Sequence, residues 1–483
     1  MAIQIFDTLA GRKREFVPLE PGRVGFYFCG PTVYDYAHLG HARCNVAWDV
    51  VVRHLRARGY EVKYVRNFTD VDDKIIRRAA ERGEDPLSLA RGFADAYTAD
   101  MIALGNIRPQ VEPRVTDHLP EIVELIEKLV SKGFAYPVDS GDVYYAVRKF
   151  PGYGRLAKRN LDDLMAGARV DPGEAKRDPL DFALWKGSKP GEPAWDSPWG
   201  KGRPGWHIEC SAMTLRHLGA PFDIHAGGKD LVFPHHTNEI AQSVAAVSDG
   251  LEIESFARYW MHNGFVEIDN EKMSKSLGNF FTVRDLLGRY DGEAIRLFLL
   301  GTHYRNPINF SEPLILEAEK RLAYLYETLE KVNRISQSVT AAEGSDENLL
   351  ERCRAALDDD FNTAAVLGIV ADAFTAANAL ADRTGRRAST EKARLACFAR
   401  DARLVGHELG LLQRSPAQAL LELRDRAAGR NGIDQGLVAR RIAERAEARR
   451  ARDFARSDAI RDELLALGVA IMDGPMGTTW RVA

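Results

Sequence analysis

The chain has 483 residues, 45% of them hydrophobic and 28% charged, with a formal net charge of −3. That is too long for one ordinary domain, ample for a large core, and too close to neutral for bulk charge to point to a nucleic-acid partner. The opening residues mix charges with short apolar pieces and no run of eighteen apolar residues occurs, so neither a signal peptide nor a membrane span is expected.

Arg23–Cys29 (RVGFYFC) reads as a short aromatic-rich strand. Gly30 and Pro31 open a loop, a helical pattern follows from about His41 to Arg58, Gly59 stops it, and Glu61–Phe68 is the next strand. Strand, helix and strand in so short a stretch imply a parallel unit whose ligands bind at the carboxyl ends of the strands. A second unit begins at Phe222–Ala226, with Gly227 and Gly228 breaking the strand and a helix starting near Pro234. Between the two, residues 120–200 carry Gly, Pro and Trp clusters, which suit an insertion with long surface loops rather than more of the same sheet.

From about 311 the pattern is helical. Leu314–Val332 and Asn348–Leu412 are expected as helices, interrupted at Gly344-Ser345 and around Arg383–Thr390. After Ser415-Pro416 a long helix is expected from about Leu437 to Leu467, stopped by Gly468, and Val469–Val482 alternates around Gly474-Pro475 as a hairpin. Between Arg424 and Arg461 eleven arginines stand against six acids. A solvated helix face and a local phosphate-binding surface both fit this run. Five widely spaced cysteines, an odd number, argue against a disulfide framework and for a reducing compartment, the cytosol by default.

Three constellations carry chemistry. His38-Leu39-Gly40-His41 lies where the first strand's loop enters a helix, whose free N–H groups and dipole suit phosphate. Gly40 lets the backbone approach a nucleotide, although capping or packing histidines have the same pattern. Lys272-Met273-Ser274-Lys275-Ser276 sets two lysines on a Ser-containing loop, where they can contact polyphosphate and offset charge on a departing pyrophosphate. Cys29, Cys210, His235 and Glu239 form a set that suits a borderline-soft divalent metal, zinc before others. His235 and Glu239 share one helical face. By spacing alone His236 could replace His235, and buried structural cysteines remain an alternative.

The first two strings together resemble the paired motifs of class I aminoacyl-tRNA synthetases, with Leu39 where isoleucine is commoner. The chain as a whole resembles the cysteinyl-tRNA synthetases. AALDDDFNTAAVLG (Ala355–Gly368) is similar to that family's helical-domain motif, and EARRARDFARSDAIRDELLALGV (Glu447–Val469) to its C-terminal motif, with Arg452 where lysine is common.

The resemblance implies an α/β architecture: a Rossmann-type doubly wound parallel-sheet catalytic domain (1–119 and 201–310) holding an inserted connective segment (120–200), then a tRNA-binding helical bundle (311–413). A small Arg-rich C-terminal α/β domain (416–483) would bind the anticodon. It implies one zinc on Cys29, Cys210, His235 and Glu239, and a cysteine pocket at Thr69, Trp206, His225 and Asp230. ATP, with magnesium, would lie against His38, Gly40, His41, Lys272, Ser274, Lys275 and Ser276, with His38, His41, Lys272 and Lys275 catalytic. Cys44, Cys353 and Cys397 match no ligand position and read as small apolar packing residues. The implied activity is conversion of L-cysteine and ATP to cysteinyl-adenylate and transfer to tRNA(Cys), by a cytoplasmic monomer with no membrane association. A mycothiol-type ligase joining cysteine to an amino-sugar shares the catalytic half, but it has no need of the Arg-rich C-terminal unit.

Overall fold

Alternation along one strand organises the molecule. In the strand Arg23–Phe28, Phe26 and Phe28 face a core shared with Cys44, Trp48 and Val51 of the helix Leu39–Ala57. Tyr27 and Cys29, the first residue past the strand, face a second core with Cys210 and Ile240. A strand covered on both faces is apolar throughout, as parallel central strands are. It pairs in parallel with Glu61–Arg66, Phe26 opposite Tyr64, and with Phe222–Gly228, Tyr27 opposite His225. Ala257–Asn263 completes a four-stranded sheet in the order Ala257–Asn263, Phe222–Gly228, Arg23–Phe28, Glu61–Arg66. The second strand in sequence lies on one side of Arg23–Phe28 and the third on the other. A crevice therefore opens between the ends of Phe28 and Gly228, the switch point where such sheets bind ligands.

In this computed structural model the described residues are all but Met1, 162–174, 269–270, 273–280, 338, 340–347, 386 and 475–476, and exclude the side chains of Glu271 and Lys272. Gly344-Ser345 thus lies outside them.

Several elements differ from expectation. Gly227 and Gly228 do not end their strand, because they pair with His262 and Asn263. A Cβ on Gly227 would meet the His236 ring at 2.7 Å, so glycine is needed there for close packing rather than for a turn. The helix expected from Pro234 begins at Thr237, after a wide turn over Val232–His236. The segment between the halves keeps apart from the parallel sheet, yet it is more than loops. It forms a helix, Leu119–Ser131, and a four-stranded antiparallel sheet of Ala135–Pro137, Val143–Tyr145, Phe182–Gly187 and Gly202–Pro204. Its Trp185 is fully buried, and Trp195 and Trp199 pack on the same core.

Two stretches that read as single helices are broken. The run before Arg383 splits into Leu349–Asp358 and Thr363–Asp382, with Asp360 and Phe361 in the left-handed region (φ 63 and 52). The helix expected over 437–467 is two, Gln435–Arg450 and Phe454–Ala466, turned at Arg452 (φ 60). Neither break carries Gly or Pro, and only the capping residues Asn362 and Asp453, each accepting a backbone N–H of the next helix, signal it. Thr363–Asp382 is long and apolar enough to cross a membrane by length and composition, but Val366, Leu367, Val370 and Phe374 pack into the largest core. The hairpin is present, Val469–Gly474 against Gly477–Val482.

The arginine run is largely committed within the chain. Arg430 pairs with Glu319 (2.6 Å), Arg441 with Glu444 (2.7 Å), and Arg445 and Arg449 both with Asp473 (2.8 and 2.7 Å). Arg440, Arg452 and Arg461 make no ion pair among the described residues.

Candidate active site and metal centre

Cys29 is the first residue beyond the strand Arg23–Phe28, Cys210 lies in the helix Trp206–His217, and His235 and Glu239 flank the start of the helix Thr237–Val247. The crevice brings them together. The two Sγ atoms are 3.6 Å apart, and Glu239 Oε1 is 3.3 Å from Cys29 Sγ and 3.0 Å from His235 Nε2. All four residues are buried, with one donor atom from each lying within 4.8 Å of the others. Cys29, His225, His236 and Glu239 satisfy the same limit, so the two groups share one sulfur and one carboxylate.

The histidines that spacing could not separate have different surroundings. His235 stands with both sulfurs. His236 turns Nδ1 to His262 Nε2 at 2.8 Å, leaving its Nε2 3.9 Å from Glu239, and His262 Nδ1 lies 2.8 Å from Thr8 Oγ1.

Burial pushes the Cys29 thiol up. Burial would raise Cys210 too, but the Cys29 hydrogen bond and the neighbouring His235 hold it down at about 6. Burial opposes charge on His235 as well, yet Glu239 and Cys210 push it up to about 10. Against burial, His225 and His235 hold Glu239 well below the usual carboxylate range. Concentrated negative charge in a dry pocket is what a bound cation would neutralise, and two sulfurs, an imidazole and a carboxylate fit a borderline-soft divalent ion better than a hard one. The cluster could hold a metal.

The residues expected to line an amino-acid pocket are distributed around it. The His225 ring stacks on Trp260 (centroids 4.5 Å) and its Nε2 is 2.9 Å from Glu239 Oε2. Trp206, 38% exposed, stacks on His235 (4.3 Å) and so forms an open wall of the site. Thr69 is buried, and its hydroxyl donates to Glu209 Oε2 at 2.8 Å, next to Cys210 in the chain. Asp230 is exposed, in the turn Lys229–Leu231 just past the strand end. Sequence reasoning missed Tyr27, His207 and Glu209. Tyr27 places its ring edge on His225 (5.2 Å), and His207 Nδ1 lies 3.0 Å from His235 Nδ1. Tyr27 was findable, because it is two residues before Cys29 on a strand and must share its face.

The first string caps the helix Leu39–Ala57. His38 Nδ1 accepts from the Gly40 and His41 N–H groups (3.1 and 3.4 Å), His41 Nδ1 accepts from the His38 N–H (3.2 Å), and the rings stack at 3.7 Å. With both Nδ1 atoms accepting, each neutral ring carries its proton on Nε2. Burial and the adjacent His38 lower His41 well below its usual value, which keeps it neutral. The first turn of the helix holds no acid, so nothing there repels a phosphate.

Ser274, Lys275 and Ser276 lie outside the described residues, as does the Lys272 side chain, although the Lys272 backbone pairs with Glu267. Both flanks of that segment are fixed. Downstream, Leu39 N–H donates to the Phe281 carbonyl (3.3 Å) and Val283 N–H to the Ala37 carbonyl (2.7 Å), so residues 281–283, which follow the second string in the chain, lie against the first.

Residues 15–320 match the family described as the tRNA synthetases class I (C) catalytic domain. Residues 352–413 match the DALR domain, and residues 440–481 the cysteinyl-tRNA ligase anticodon binding domain. The chain is 73% identical to the cysteine–tRNA ligase of Anaeromyxobacter dehalogenans (strain 2CP-1) and 51% identical to that of Geobacter metallireducens, covering 100% of both chains in each case. Among solved structures it is similar to Mycobacterium tuberculosis methionyl-tRNA synthetase in complex with methionyl-adenylate. That likeness has a TM-score of 0.60 and 18% identity, covering 82% of this chain and 93% of that one. Thermus thermophilus arginyl-tRNA synthetase gives 0.51 at 14% identity, covering 84% and 85%. At such identities these two speak for the fold alone. The full-length relatives and the catalytic-domain match, taken with the buried cluster at the switch point, place this chain in the cysteine–tRNA ligase family of class I aminoacyl-tRNA synthetases.

Proposed function

We propose that the chain joins L-cysteine to tRNA(Cys) in two steps, forming cysteinyl-adenylate and diphosphate from ATP and then releasing AMP as the aminoacyl group moves to the tRNA. The observation that carries this reading is the Cys29/Cys210/His235/Glu239 cluster set beside the capped helix of His38 and His41. These four side chains would hold zinc, whose preference for thiolate over a neutral hydroxyl supplies discrimination of cysteine from serine. Discrimination by a direct bond to sulfur makes a separate proofreading domain unnecessary.

ATP, accompanied by magnesium, lies across the switch point. The Nε2–H groups of His38 and His41 donate toward its phosphates, and Gly40 leaves room for them. Lys272, Ser274, Lys275 and Ser276 contact the same phosphates. As the cysteine carboxylate attacks the α-phosphorus, negative charge grows on the phosphoryl oxygens, and His41 and Lys275 offset it. Trp206 covers the substrate side chain, Thr69 is oriented by Glu209, and His225 orients Glu239. Asp230, at the strand end, is placed for the substrate ammonium. The terminal ribose hydroxyl of the tRNA then attacks the mixed anhydride, a step governed by positioning. The C-terminal unit reads the tRNA and separates this activity from an amino-sugar ligase. A monomer in the cytoplasm suits the whole.

Amino-acid-dependent ATP–pyrophosphate exchange across all twenty amino acids tests the reading. Exchange with cysteine alone, followed by charging of tRNA(Cys), is the expected result. Equal exchange with serine, or activity undiminished after zinc is stripped, would overturn it.

A further inference from the structure

The helix Leu39–Ala57 starts at the nucleotide site and, being 19 residues long, carries that position about 28 Å to its far end. In its last turns His54, with no exposed surface, sits between two buried carboxylates of the helical bundle. Nδ1 lies 3.0 Å from Glu408 Oε2 and Nε2 lies 2.9 Å from Asp358 Oδ1. Both ring nitrogens face carboxylate oxygens. The other oxygen of each carboxylate meets an arginine: Arg354 Nε at 2.8 Å from Glu408 and Arg58 Nη2 at 3.2 Å from Asp358.

The turn that begins at Asp358 continues the attachment. Asp359 pairs with Lys13 (2.5 Å). Asp360 accepts from Phe6 N–H (2.8 Å), Tyr304 Oη (2.9 Å) and Arg305 Nε (2.7 Å). Phe361 packs with Phe26 and Trp48 under the parallel sheet. Four successive residues thus bind the catalytic half, two of them in the left-handed conformation that broke the expected helix. An apolar seam would serve stability at least as well, since burying charges costs desolvation; a fully paired ionic network instead specifies one orientation.

We propose that His54 is a positioning residue, fixing the helical bundle and the tRNA it grips relative to the helix rooted in the ATP site. This rests on the tRNA-charging reading above. The test compares wild type, His54→Gln and the double variant His54→Gln/Glu408→Gln in cysteine-dependent pyrophosphate exchange and in tRNA charging. In the single variant the glutamine carbonyl faces a carboxylate, whereas the second glutamine supplies an amide N–H to it. The single variant should keep exchange within about twofold of wild type and raise KM for tRNA about tenfold or more, the scale of one buried charge-assisted contact. The double variant should recover most of that KM. Exchange falling in step with charging, an unchanged KM for tRNA, or no recovery in the double variant would overturn the proposal. Failure of wild type to charge tRNA would instead overturn the functional reading.

Discussion

His225 Nε2 lies 2.9 Å from Glu239 Oε2, on the side of the carboxylate opposite the oxygen that meets His235 and Cys29. His225 therefore aims the carboxylate proposed to ligate zinc while itself resting on Trp260. Partners of this kind typically change metal affinity by about 10–100-fold. His225→Gln should lower zinc affinity by that order, read by competition with a colorimetric chelator at fixed pH. An unchanged affinity would show that Glu239 is held by the helix alone.

Lys275→Ala should slow cysteinyl-adenylate formation by about a hundredfold or more, the usual cost of removing one group that meets developing charge. Cysteine binding, followed by calorimetry without ATP, should hardly move, because the contact proposed for the lysine is with phosphate. Loss of both in parallel would remove it from the assigned role.

Gly30 follows Cys29 directly, and a Cβ there would fall 1.7 Å from the Asn67 carbonyl oxygen, while Gly30 N–H already bonds Asn67 Oδ1 at 2.8 Å. Gly30→Ala must push the loop away from the second parallel strand. A loss of about 1–3 kcal/mol in denaturant stability is expected, with weaker metal retention, since Cys29 moves with the loop. Wild-type stability and metal content would refute the close approach.

Burial alone would raise Glu408, but His54 and Arg354 outweigh it and hold its carboxyl below the usual value. A depressed carboxylate contributes stability that is fully present above its unfolded value of about 4.3 and is lost as pH falls through the folded value. Glu408→Gln should therefore be clearly less stable than wild type at pH 7, and the gap should narrow below about pH 4. Denaturant midpoints at the two pH values check this; a gap that widens in acid contradicts it.

Ala419 and Leu423, on the helix Pro416–Arg430, are part of the largest core, and Arg430 is tied to Glu319. Val438, Ile460, Leu464, Val469 and Ile471 form a small core of their own. A truncation after residue 433 should thus spare pyrophosphate exchange and damage tRNA charging, whereas one after 415 should also destabilise the catalytic half. Thermal unfolding of the two truncations separates the cases, and equal behaviour would dissolve the boundary.

Local chemistry was legible from the chain alone. Parallel strands buried on both faces, the histidines at the start of the helix Leu39–Ala57 and the alternating hairpin follow from patterns of neighbouring residues, whereas the set Cys29, Cys210, His235 and Glu239 came from the family resemblance and not from spacing. Tertiary structure decided the rest, because the deciding contacts lie far apart in sequence. His235 lies with both sulfurs while His236 turns to His262 and beyond it Thr8, contacts that spacing along the chain does not show. Whether two helical runs were continuous was settled at Asp360 and Arg452, where no Gly or Pro marked a break. At Asp360 it is the distant Phe6, Tyr304 and Arg305 that hold the turn. Periodicity records which face of an element is buried; it carries no information about which distant group will satisfy a buried charge, and here those groups set both the Cys–His–Glu cluster and the seam between the halves.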